Sequence, residues 1–264
     1  MTTPHRRSRD ETRELVVSAA LDLVEHEGLG VEPTTITYQK VFQHLERTKG
    51  VRITRASVHE RLWASQEEFQ VEVLLRMSRM ATGLDLAGQL AAASLAETGD
   101  LTSEARMREL SRVAPDALLQ VAAADPRFSS WVGVTLSVAN DSEPGDPVRD
   151  RLAARTTAEY AESESRAAEL IRRLALATGV RPRANLFTDP DLGFRLIARL
   201  GLTLAEGATV RLRFDKGELP NVHLKTGIDG ELQEWTAFAA GFWALLNTYL
   251  EEDPDADASE AEGG

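Results

Sequence analysis

The chain is predicted to be all-α, a small N-terminal domain of three short helices followed by a larger helical domain. Three observations carry that expectation. Apolar residues recur at three- and four-residue spacing through most of the 264 residues, Ser- and Thr-led capping signatures stand at the head of the early runs, and glycine or proline punctuates them.

Ser8-Arg9-Asp10-Glu11 is an S-x-x-E capping box, and Val16, Ala19, Ala20, Leu23 and Val24 then repeat with helical period until Gly28 offers a left-handed stop. This predicts one amphipathic helix over residues 9 to 27. A second begins after Thr34-Thr35, whose hydroxyls accept from first-turn amides, carries Val41, Phe42 and Leu45 inward and ends at Gly50. Val51-Arg52-Ile53 leads to Thr54, a cap for a third helix running from Arg55 to about Trp63, with Leu62 and Trp63 read as core. That spacing, glycine included, is what a helix-turn-helix requires. Ser65-Gln66-Glu67-Glu68 is a second capping box opening a fourth helix with Phe69, Val73, Leu74 and Met77 on one side.

Charge is concentrated where such a motif would need it. Arg47, Lys49, Arg52, Arg55 and Arg61 face one acid, Glu60, so this stretch carries +4 in a chain of net charge −12. Arg6, Arg7 and Arg9 form a basic arm able to reach a phosphate backbone or a minor groove. Arg55, Ser57 and His59 stand near the start of the third helix, the end that meets base edges when such a helix lies in a major groove. Val58 is either a contact to a thymine methyl or packing against the first helix. Arg61 is either a phosphate contact or a solvated helix end. A run of positive charge is also compatible with a plain solvated face.

The order of these elements, with Thr34-Thr35-Ile36 and Thr54-Arg55-Ala56-Ser57-Val58-His59, resembles the tetracycline-repressor (TetR) family of bacterial regulators, in particular its divergent actinobacterial members. The likeness covers roughly the first quarter of the chain. It implies an N-terminal DNA-binding helix-turn-helix domain over residues 1–64 and a helical domain over 65–250 that binds a small-molecule effector and forms a homodimer. It also implies phosphate contacts from Thr35, Tyr38 and Thr54, although both threonines serve equally as caps. The chain departs from the family pattern at His59, where a tyrosine is usual, at Leu62, which is an extra residue, and at Ser65, near which a lysine is usual.

Beyond the head, helical periodicity runs through Leu84 to Leu95, Met107 to Val121, Phe128 to Val138, Val148 to Leu176, Leu192 to about Phe214 and Leu232 to Leu250. Pro126, Pro147 and Pro190 suit first helical turns. Val210, Leu212 and Phe214 alternate ahead of Asp215-Lys216-Gly217, but a lone hairpin is marginal, so a helix to about Phe214 followed by a loop is expected. The last helix presents Leu232, Trp235, Phe238, Ala239, Phe242, Leu246 and Tyr249, a stripe wide enough, joined with the Leu192 to Phe214 helix, to pair with a second copy in a four-helix bundle, or to serve as internal core. Phe128, Trp131, Tyr160, Phe187 and Phe194 are candidates to line an effector site, or plain core. Arg195 would meet an anionic ligand there or reach solvent.

Composition bounds the rest. The chain has no cysteine, no apolar run of membrane-spanning length and a polar, charged start, which together lead to a cytoplasmic expectation. Glu251 to Gly264 holds seven acids and no base, leaving −5 on the remainder, and residues 251–264 are expected to be a disordered tail. The five histidines show no H-E-x-x-H pairing, and no nucleophile elbow, Walker loop or dinucleotide-binding turn is present. No metal or cofactor is expected. The sequence favours a ligand-responsive repressor that binds a pseudo-palindromic double-stranded operator, with a helical adaptor that has lost DNA binding, or a small-molecule enzyme, as alternatives.

Overall fold

The computed structural model describes residues 7–27, 36–58, 61–77, 84–98, 101–125, 132, 135, 147–214, 220–227 and 230–254. Over these residues the protein is mostly helical, with four short strands in two antiparallel pairs. No helix among them is long and apolar enough to cross a membrane. The chain divides into two compact units, Met1–Met80 with Pro126–Glu159, and Ala81–Asp125 with Tyr160–Gly264.

The first unit contains α1 (Arg9–Glu27), α2 (Tyr38–Lys49), α3 (Arg55–Val58) and α4 (Gln66–Met77). α1 starts as expected, with the Ser8 amide donating to Glu11 Oε2 at 2.7 Å and the Glu11 amide donating to Ser8 Oγ at 3.1 Å. α2 is capped two residues later than the sequence implies. Thr37, in extended conformation, accepts from the Lys40 amide, because Ile36 is drawn into the core and sets the phase of the turn. Gly50 closes α2 in the left-handed region at φ 63°, its amide bonded to the Glu46 carbonyl.

α3 is shorter than expected. Only Arg55–Val58 is helical among the described residues, and the Leu62 amide reaches back to the Val58 carbonyl at 2.9 Å before the chain turns inward. The turn has a packing cause, since Leu62 and Trp63 are both buried. α4 opens with Ser65 Oγ accepting from the Glu68 amide, while Glu68 Oε2 takes the Ala64 amide at 2.7 Å. The core joins Val16, Val17, Ala20, Val41, Leu45, Val58, Trp63, Phe69 and Val73. Tyr38 stacks on Phe69 with ring centres 4.9 Å apart, and Trp63 meets Phe69 edge-on at the same separation. α4 thus packs with the head, so the first unit extends past residue 64.

The second unit is built from α5 (Leu84–Glu97), α6 (Ser103–Ala124), α7 (Pro147–Thr178, belonging to this unit from Tyr160 on), β1 (Val180–Pro182), α8 (Pro190–Phe214), β2 (Asn221–Lys225), β3 (Leu232–Thr236), α9 (Ala237–Tyr249) and β4 (Leu250–Glu252). Pro147 and Pro190 open their helices, as proposed from sequence. The Phe128 to Val138 segment and Pro126 lie outside the described residues except at 132 and 135, both helical.

Two expectations fail here. A hairpin does form, from β2 and β3, so Leu232–Thr236, expected as the start of the last helix, is a strand instead, with Val222 opposite Trp235. It holds because it is not isolated. The Trp235 ring is buried with its Nε1 donating to Thr226 Oγ1 at 2.8 Å, and the Thr236 hydroxyl donates to Asp116 on α6 at 2.7 Å while capping α9. Residues 251–252, expected in the tail, instead pair as β4 with β1, where Glu251 and Asp253 meet Arg181. Residues 255–264 lie outside the described part.

The apolar stripe of β3 and α9, expected on a single last helix, is a third correction. Trp235, Phe238, Ala239 and Leu246 are buried within this one chain, and Phe242 and Tyr249 are half-buried against the same core, where α9 packs on α6 and α8. Leu232, at 63% exposure, is the member of the proposed dimer surface that remains open. The stripe is wide because helices flank it on more than one side.

Glu206 on α8 is an acid displaced far from its ordinary range. Burial pushes it up to about 7, opposed by the Tyr160 hydroxyl that donates to Oε2 at 3.4 Å, and the Glu164 charge raises it further. Its Oε1 is buried without a partner among the described residues. Because its folded pKa lies above that of an unfolded glutamate, its contribution to stability is present at acid pH and lost as pH rises toward 7. Urea midpoints measured at pH 5 and pH 8 should therefore fall less for Glu206→Gln than for the wild type; equal declines would contradict this assignment.

Candidate nucleic-acid interface

In the first unit, Val51 and Ile53 are half-buried against the core, and Arg52 between them is exposed. Alternation across an extended turn thus throws one guanidinium outward. α3 then buries Val58 completely and leaves Thr54, Arg55, Ala56 and Ser57 in solvent. The Ser57 hydroxyl donates to the Thr54 carbonyl at 2.6 Å and accepts from the Thr54 amide at 3.3 Å. Ser57 therefore ties the helix start that the sequence assigned to the Thr54 hydroxyl.

Four of the sequence-selected cations converge beside this helix. Arg7, Arg9, Arg52 and Arg61 line a cleft of about 210 Å³, together with Thr12, Ile53, Ser57 and Leu62. Each of the four arginines, and Arg55 nearby, is exposed and meets no carboxylate among the described residues. The basic groups nearer the core are engaged differently. Arg13 is held by Glu72, Arg76 by Glu14 at 2.9 Å, Lys49 lies 3.6 Å from Asp22, and Arg47 donates to Nδ1 of buried His44. The chain thus separates cations held by the fold from an exposed cluster that meets no carboxylate among the described residues. Guanidiniums in a shared cleft suit phosphate oxygens, which they can bind through paired N–H donors.

The support behind α3 is a half-buried three-way junction. Glu72 of α4 accepts from Arg13 Nε at 3.0 Å and Nη2 at 2.6 Å, and from Trp63 Nε1 at 2.6 Å. The Arg13 guanidinium also lies over the Trp63 ring, 5.8 Å from its centre. Burial raises the Glu72 pKa, but the Arg13 and Trp63 donors and the Arg13 charge outweigh it and hold the carboxyl below its ordinary value. One carboxylate joins α1, α4 and the turn following α3.

Several expected contacts are not on this surface. Val58 is fully buried, which settles its role as packing rather than contact to a base. Tyr38 is 2% exposed, and its hydroxyl donates to the Ser65 carbonyl at 3.1 Å, so the stacked aromatic cluster removes it from the phosphate-contact set. Arg6, Thr35 and His59 lie outside the described residues. Thr12 joins the cleft without having been singled out. It sits one turn after Ser8, whose carbonyl accepts its hydroxyl at 2.8 Å, and helical spacing from the basic arm was the available signal.

The aromatic effector set is not brought together. Phe194 is buried in the second core, Phe187 rests on Tyr249 with ring centres 5.9 Å apart, and Tyr160 bonds Glu206. Arg195 is exposed, and Phe128 and Trp131 are outside the described residues. The apolar pocket of the second unit is lined mostly by aliphatic residues, with Phe242, instead. No group of acids, histidines or cysteines that could hold a metal ion occurs among the described residues. No family model, curated protein or solved structure matches this chain.

Proposed function

We propose that this protein is a DNA-binding transcriptional regulator, a ligand-responsive repressor that reads a pseudo-palindromic operator as a homodimer. The observation that carries this reading is the convergence of Arg7, Arg9, Arg52 and Arg61 on one cleft beside the exposed face of α3, in a chain whose net charge is −12. A cluster of exposed cations that meet no carboxylate among the described residues concentrates attraction for phosphate at one place on an acidic protein and releases counterions on binding. Arg55, exposed on the first turn of α3, is the side chain suited to a guanine edge.

One segment as short as α3 spans only a few base pairs, so a specific site calls for a second copy on a two-fold related half-site. The copies would pair through a surface other than the buried α9 stripe.

Selection of bound fragments from random duplex DNA tests the reading: enrichment of an inverted repeat supports it, and recovery of unselected sequence contradicts it. On the enriched site, Arg55→Ala should weaken binding by about 1–3 kcal/mol and relax preference at one base pair, with helicity unchanged. Unchanged affinity would take Arg55 off the reading surface.

A further inference from the structure

In the second unit a small apolar pocket and a broad groove share a wall. The pocket has a volume of about 70 Å³, and its lining, which includes Met107, Ile171, Leu202 and Phe242, is almost wholly hydrocarbon. The groove, of about 880 Å³, lies between α5 and α7 and is edged by charged side chains. Leu84 of α5 and Leu170 and Leu174 of α7 line both. The pocket exceeds the ~10–15 Å³ that one water needs, but with almost no polar surface it disfavours water. It is smaller than the ~150 Å³ engineered cavity that takes benzene, so the end of an aliphatic chain suits it better than an aromatic ring.

The charges at the groove are not balanced. Asp85, Arg166, Glu169 and Arg173 line it, and Arg166 meets Asp85 at 3.1 Å. Glu169 has two cations beside it. Arg172, which does not line the groove, donates to Glu169 Oε2 from Nε at 3.0 Å and from Nη2 at 2.6 Å, whereas Arg173 stands 3.8 Å from Oε1 with its side chain 66% exposed. The Glu169 charge is thus met without Arg173, which is the surplus cation of the groove. Arg173 also adjoins the shared wall. It follows Leu170 by three residues and precedes Leu174 by one, so it borders the same face of α7.

We propose that pocket and groove together receive an amphipathic carboxylate, its unbranched aliphatic tail passing between Leu84, Leu170 and Leu174 into the pocket and its head meeting Arg173 in the groove. The inference rests on the reading of the second unit as ligand-binding and names the chemical class of the ligand. The head stays in the groove because the pocket wall holds nothing that would compensate its lost hydration, while the tail gains by leaving water. A guanidinium can take a carboxylate through paired N–H donors. Turning Arg173 toward the ligand costs little, since its contact to Glu169 is long and exposed and Arg172 still holds that acid.

Hexanoate, octanoate, 1-octanol and octylammonium, titrated at low salt into the full-length protein and followed by the methyl resonances of Met107 and Ile171, test this. Octanoate should bind saturably, more tightly than octylammonium, and more tightly than hexanoate by about fourfold for each added methylene. Arg173→Gln, an exposed change with little risk to folding, should weaken octanoate by about two- to fivefold, and Glu169→Gln should strengthen it by a similar factor, each leaving 1-octanol unaltered. Ala114→Leu, which adds bulk to the pocket wall, should abolish octanoate and 1-octanol binding while thermal unfolding stays cooperative. Absence of saturable shifts, octylammonium binding as tightly as octanoate, an affinity indifferent to chain length, or octanoate binding unaltered in Arg173→Gln or in folded Ala114→Leu overturns the proposal. Duplex binding measured on the same samples keeps the two ideas apart: failure to bind DNA with octanoate still bound removes the regulator and leaves the ligand assignment standing.

Discussion

Changing Arg52 and Arg61 together to alanine is expected to lower affinity for duplex DNA of any sequence by about ten- to a hundredfold at low salt. The slope of log affinity against log salt should fall by about 2 per bound copy, since each lost phosphate contact removes roughly 0.9. Both side chains are exposed, line the same cleft and meet no carboxylate among the described residues, so their removal leaves no orphaned partner. Stability should stay within about 0.5 kcal/mol of the wild type, as for surface substitutions generally. Loss of affinity with an unaltered salt slope would mean that the two arginines act through the fold rather than on phosphate.

Glu72→Ala should have the largest effect on the first unit. It removes the acceptor for three N–H groups on Arg13 and Trp63 and strands the indole N–H of a ring that is 1% exposed. Hydrogen bonds to a charged group contribute about 1.5–3 kcal/mol and an orphaned buried donor a further 1–3, discounted because Arg13 is 43% exposed. A net loss of about 2–4 kcal/mol is expected, which lowers the unfolding midpoint by roughly 5–12 °C. Glu72→Gln should fall between, keeping an oxygen for Trp63 but losing the charge. Because the folded pKa of Glu72 is depressed, this stabilisation is present above the ordinary glutamate range and disappears as pH falls through the folded value. The wild type and Glu72→Ala should therefore converge in stability on acidification; a constant difference would remove the carboxylate from the account. DNA affinity should fall in step with unfolding of α3, whose trailing turn Trp63 anchors.

What could be read from residue order was whatever depends on neighbours in sequence. The Ser8–Glu11 box, the Gly50 stop, the Ser65 opening of α4 and the proline starts of α7 and α8 are local, and each is present. The position of the α2 cap was not local, because three threonines compete and burial of Ile36 selects Thr37. The length of α3 likewise depends on where Leu62 and Trp63 find their core.

The same limit applies to surfaces. A stripe of Trp235, Phe238 and Leu246 reads as a sticky face, but only packing reveals that α6 and α8 already cover it. Aromatic residues drew attention as a ligand wall, whereas the cavity arises where small residues, Ala87, Ala114, Ala198 and Gly201, leave space between longer aliphatic ones. The cations of the cleft were legible individually. Their meeting was not, since Arg7 and Arg9 lie more than forty residues before Arg52 and Arg61 in the chain.

Titration of a fluorescent random-sequence duplex with the purified full-length protein, followed by anisotropy across a salt series, tests the central claim most directly. Saturable binding at low salt that weakens steeply and linearly on a log–log plot is the predicted result. Absence of binding at micromolar protein and 50 mM salt, or an affinity indifferent to salt, would contradict a phosphate-binding arginine cleft.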